Sequence, residues 1–122
     1  MALALDIMKG GLSYGTAKAI NGQISAAVTA AGTTISDATA LTTSISVITT
    51  AAALTGVKLP SAEIGDSVEI FNAGANAVTV YPDSSSNQVN SLGAGTGFAL
   101  ATNTAVWLRK FTSTRWAGFL SA

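Results

Sequence analysis

Residues 70–82 read IFNAGANAVTVYP, two short alternating runs separated by asparagines and small residues. Upstream, Val68 and Ile70 fall on one side of an extended chain, with Ser67 and Glu69 on the other. Downstream, Val78 and Val80 oppose Ala77 and Thr79 in the same way. The NAGAN segment between them has the composition of a turn, because Asn72, Gly74 and Asn76 are residue types that take positive φ at low cost. The segment therefore reads as a β-hairpin, each strand offering one apolar face.

The same pattern extends in both directions. GFALA, TAVWLRKFT and RWAGFL follow at roughly ten-residue spacing, separated by DSSSNQ, LGAGTG, ATN and TST. Before the hairpin, QISAAVTAA, TSISVITTAAA and GVKLP are the expected strands, since Thr, Ile and Val are frequent and Gly32 and Gly56 punctuate them. Residues 51–54 read as a loop or a single helical turn. Short strands at even spacing predict an all-β fold, a small jelly-roll-like β-sandwich over residues 23–122. Residues 1–22 carry Leu3, Leu5, Ile7, Met8, Leu12 and Tyr14, but Gly10, Gly11, Gly15 and Gly22 exclude a long helix. They read as an extended N-terminal arm whose apolar side chains dock on the same chain, a sister subunit or another protein.

Ala, Thr, Ser and Gly make up over half of the 122 residues, so the core is thin for one domain. Such a chain is expected to borrow burial by oligomerising. Six basic and six acidic residues cancel, which leaves no nucleic-acid footprint. The charge-free stretches 38–57 and 84–108 are too rich in Ser, Thr, Asn and Gly to span hydrocarbon. The opening MALALDIMKGG meets Asp6 with no basic segment before it, so no secretory signal is expected.

Few residues suit catalysis. The chain has no His and no Cys, which removes the commonest general base, the thiol nucleophile and the softer metal ligands. Glu63 and Asp66 are close enough in sequence to suggest an acid/base pair or, with Asp83, oxygen ligands for calcium. Their place before a strand favours a turn instead. LGAGTGF lacks the lysine and helix of a phosphate loop and reads as a β-turn. Lys58 and Lys110 both fall in strands with exposed neighbours, where no buried amine would assist a serine. No catalytic, cofactor-binding or metal-ligating residue is expected. In TAVWLRKFT, Val106 and Leu108 suit a core face, while Ala105, Trp107, Arg109 and Phe111 load the other. A strand with bulk on both faces reads as an interface strand, with Trp107 and Phe111 at the contact.

GVKLPSAEIGDSVEIFNAGANAVTVYP, followed by VNSLGAGTGFALATNTAVWLRKFTSTRWAGFL, resembles a small β-sandwich module of tailed-bacteriophage virion proteins. The shared features are a Leu-Pro, a Gly-Asp before a strand, an Asn-rich hairpin, Val-Tyr-Pro, a polar loop, a small-residue turn and a closing strand with Trp and Gly. The opening MALALDIMKGG with AKAINGQ is similar to the N-terminal segment of phage capsid cement, or decoration, proteins. That resemblance implies a homotrimer on the outer surface of the virion, bound to the major capsid protein, needing neither cofactor nor direct contact with nucleic acid or membrane. The module is also similar to parts of head and tail fibres. The alternative is thus a receptor- or glycan-binding tip, with Tyr81 or Trp116 stacking on sugar rings.

Overall fold

The structure, a computed structural model, describes residues 23–121. They form strands β1 (Ile24–Thr29), β2 (Thr39–Ala40), β3 (Ile45–Thr50), β4 (Gly56–Lys58), β5 (Ser67–Asn72), β6 (Val78–Tyr81), β7 (Gln88–Val89), β8 (Phe98–Leu100), β9 (Thr104–Lys110) and β10 (Arg115–Leu120), with no helix among the described residues. The larger sheet runs β1-β3-β5-β9-β10-β7 and the smaller β2-β4-β6-β8. The arm residues Leu3, Leu5, Ile7, Met8, Leu12 and Tyr14 lie outside the described residues.

The first six strands alternate between the two sheets. Within the larger sheet β1, β3 and β5 are parallel, so that Ile24 lies beside Ile45 and Ile45 beside Glu69. Within the smaller sheet β2, β4 and β6 are parallel, with Thr39 beside Val57 and Val57 beside Val80. Each circuit of the chain lays one strand in each sheet. This winding is solenoid-like. The chain then doubles back: β8 runs antiparallel to β6, β9 antiparallel to β5, and β10 antiparallel to β9.

All-β holds, but the jelly-roll-like sandwich gives way to this winding, and the reason lies in residues 70–82. β5 pairs with β3 and β9, whereas β6 pairs with β4 and β8; the two strands are not a hairpin. The chain between them turns a corner from one sheet to the other. Asn72, fully buried, builds that corner with its side chain. Its amide donates to the carbonyls of Asn76 and Leu100, both at 2.9 Å, and its Oδ1 accepts from the Gly74 N–H at 2.9 Å. The Asn76 amide reaches back to the Ala51 carbonyl at 3.0 Å, tying this corner to that of the preceding circuit. None of Asn72, Gly74 and Asn76 has positive φ. A tight reversal needs such backbone angles, whereas a corner held by side-chain amides does not.

Alternation along each strand fills the space between the sheets. Val68 and Ile70 of β5, Val106 and Leu108 of β9, and Trp116 of β10 face Val57, Val78, Val80 and Leu100 of the smaller sheet, all at most 2% exposed. Each such aliphatic side chain contributes about 1.5–3 kcal/mol by leaving water. On the outside of the smaller sheet, the Tyr81 ring lies against two glycines. A Cβ at Gly56 would fall 2.7 Å from Tyr81 Cε2, and one at Gly97 3.0 Å from Tyr81 Cδ1. The Tyr81 hydroxyl donates to the Thr33 carbonyl at 3.0 Å.

Candidate interaction surface

The titratable groups that meet inside the fold are already committed to one another. Lys110 ends the inner face of β9 and is 6% exposed, not beside open solvent as its neighbours suggested. Its ammonium donates to Asp83 Oδ2 and to the Ala62 carbonyl, both at 3.0 Å, and sits 5.7 Å from the Trp116 ring centroid. Asp83 Oδ1 accepts from the Asn87 amide at 2.7 Å and from the Trp116 indole N–H at 3.0 Å. Burial pushes the Asp83 carboxyl toward its neutral form, but the hydrogen bonds from Asn87, Trp116 and Lys110, with the ammonium charge, outweigh it and hold the pKa below the ordinary value. Three donors saturate the carboxylate and two acceptors hold the amine. The cluster fastens β9 and β10 to the loop after β6.

The other carboxylates do not converge on it. Asp66 Oδ2 accepts from the Glu63 N–H at 2.9 Å, and the Asp66 N–H donates to the Glu63 carbonyl at 3.1 Å, which makes the pair a turn ahead of β5. LGAGTGF is likewise a turn, with Gly95 at φ +72°. Among the described residues no group of three or more carboxylates is placed to hold a metal ion.

Among the described residues, what stands uncommitted is the outer face of the larger sheet. Because side chains alternate, Trp107 points opposite to Val106 and Leu108 and is 41% exposed. Registry places Phe119 of β10 directly beside it, the two rings stacked with centroids 5.8 Å apart and planes 28° apart. On the other side Trp107 is opposite Glu69, and Glu69 is opposite Ile45. The next row reads Val47, Phe71 and Ala105. These rows line a shallow groove of about 420 Å³. The Arg109 guanidinium carbon lies 5.4 Å from the Trp107 ring centroid, a cation–π contact at the rim. Phe71 at 40% and Phe119 at 59% exposure make this an apolar aromatic surface with one acid and one base set into it.

Trp107 is thus one of the residues that line the groove. Phe111 is exposed but lies past the end of β9 and does not line it. Ile45, Val47, Phe71 and Phe119 complete the surface. Their alternation was readable in the sequence, but their adjacency depended on which strands pair. Of the aromatics expected to stack on sugars, Trp116 is fully buried and Tyr81 is half-buried against its glycines. No family model, curated protein or solved structure matches the chain.

Proposed function

We propose that this chain is a structural virion protein: a trimeric capsid cement protein of a tailed bacteriophage, seated on the outer capsid surface and stabilising the shell. The observation that carries the reading is the exposed aromatic row of Trp107 and Phe119, continued by Phe71, Val47 and Ile45 across neighbouring strands. Large rigid rings exposed together are the composition of a contact surface. We assign this face to the contact between sister subunits. The resemblance of residues 56–120 to phage virion modules points the same way, and the Asp83–Lys110 cluster leaves the one buried amine among the described residues without a free role.

A cement protein has to bind many equivalent sites, each weakly enough to assemble correctly, yet hold collectively. A trimer that meets several capsid subunits at once gains effective concentration from its own symmetry, so modest contacts per subunit add to a firm grip. Near-zero net charge lessens repulsion between crowded copies.

Light scattering on the full chain at micromolar concentration should return about three subunits, and the same sample should bind expanded empty shells. Trp107→Ala should lower the measured mass and weaken shell binding together, at a cost of about 2–4 kcal/mol in assembly. A monomeric wild-type chain that binds isolated glycans and ignores shells would establish the fibre-tip alternative instead.

A further inference from the structure

β7 pairs with β10 at two positions, Gln88 beside Arg115 and Val89 beside Trp116, whereas β10 runs on to Leu120. The hydrogen bonding does not stop where β7 stops. The Gln88 N–H donates to the Thr114 carbonyl and the Asn90 N–H to the Trp116 carbonyl, each at 2.8 Å, a step of two residues on both strands. In a regular parallel ladder the next bond would run from the Gly118 N–H to the Asn90 main-chain carbonyl, and the one after it from residue 92 back to the Gly118 carbonyl. Here the backbone has turned away. Asn90 has φ +51°, and the chain leaves the sheet in a turn closed by the Leu92 N–H on the Val89 carbonyl at 3.1 Å.

The Asn90 side chain makes the two missing bonds instead. Its Oδ1 accepts from the Gly118 N–H at 2.9 Å, and its amide nitrogen donates to the Gly118 carbonyl at 3.4 Å. One side chain thus supplies both the acceptor and the donor that a continuing strand would bring. Gly118 is a position that needs them. It has no side chain to shield its own backbone, and a Cβ there would stand 3.2 Å from Leu108 Cδ2, so the packing below disfavours adding one. A bare N–H and C=O at a strand edge are a template for pairing with another chain.

We infer that Asn90 is an edge cap: its carboxamide takes the place of a strand beside Gly118 and keeps a second copy of this chain from pairing there. Asparagine suits the position twice over. It enters the left-handed region more readily than other residues with a side chain, and its carboxamide carries the same donor and acceptor as a peptide group. The inference stands apart from the capsid reading, which uses the outer face of this sheet and not the backbone of β10.

Asn90→Gly separates the side chain from the backbone, since glycine takes φ +51° freely but has no amide to offer. In the wild type, hydrogen exchange at the Gly118 amide should be at least about tenfold slower than in an unfolded peptide. In dilute Asn90→Gly that protection should be lost, while the amides of Gln88 and residue 90, which donate to main-chain carbonyls, keep theirs. On concentration, light scattering should show Asn90→Gly growing into species larger than the wild type. Asn90→Asp, which places a charge at the edge, should stay at the wild-type mass. The comparison is with the wild-type mass whatever that mass is, so it does not depend on the trimer. Fast exchange at Gly118 in the wild type would overturn the cap, and it requires no variant to fold. Asn90→Gly that keeps the wild-type mass at every concentration would overturn its role against a second copy.

Discussion

Trp116 and Trp107 occupy adjacent strands of one sheet and point to opposite faces. Trp116 is fully buried, its indole N–H bonded to Asp83 and its ring beside the Lys110 ammonium. Trp107 is 41% exposed, its ring stacked on Phe119 and near the Arg109 guanidinium. The inner tryptophan has every polar and apolar requirement met within the chain. The outer one has apolar surface left over. The same residue type is thus buried in the core in one place and exposed on the outer face in the other, and strand parity alone decides which.

The contrast breaks if the two positions respond alike. Trp116→Ala should be the costliest change, about 3–5 kcal/mol, because it opens a large cavity and removes a donor from Asp83. Urea unfolding of the purified variant measures it, and a loss under about 1 kcal/mol would mean that the inner site is not the keystone described.

Asp83 comes next. Asp83→Ala leaves the Lys110 ammonium buried without its counter-ion, which should cost about 3 kcal/mol. Acid sharpens the same point. The folded Asp83 carboxyl titrates below the ordinary 3.8, so the unfolded chain takes up the proton first. The stabilisation is therefore complete above the ordinary aspartate pKa and is lost as pH falls through the depressed folded value. The urea midpoint of the wild type should drop as pH falls through the carboxylate range toward that depressed value, and Asp83→Asn should flatten that part of the profile. An unchanged slope in the variant would move the acid sensitivity to another carboxylate.

Trp107→Ala should change the stability of the isolated fold least, by about 0.5 kcal/mol or less, as for a surface substitution. Its thermal midpoint should stay near the wild-type value under conditions where the wild type is dissociated. A large loss there would place Trp107 with Trp116 among the groups that hold the fold.

Much of this was legible in the chain. GVKLP, TSISVITTAAA and QISAAVTAA contain β4, β3 and β1, and the five later runs contain β5, β6, β8, β9 and β10. Only β2 and β7 escaped, each two residues long and too short to show a period. The inward faces of β5, β6 and β9 are those that alternation assigned. Of the two aromatics placed at a contact by the sequence, Trp107 lines the groove. Phe111 does not, because β9 ends at Lys110 and the groove lies back toward its start.

By itself the sequence determined where strands run and which side of each is apolar, because alternation is a property of the extended chain with a period of two residues. It also determined, through its lack of His and Cys, what chemistry the chain cannot perform with those groups. Only the tertiary structure decided partners. Val68 with Ile70 and Val78 with Val80 satisfy a hairpin and a corner equally well, and the choice fell to Asn72 and Asn76, whose amides reach Leu100 and Ala51 in segments far along the chain. Lys110 likewise reads as a surface residue until the fold brings Asp83 to it from 27 positions away. Strand edges and buried polar groups are satisfied by whatever the packing places beside them, and that information is held by no single stretch of sequence.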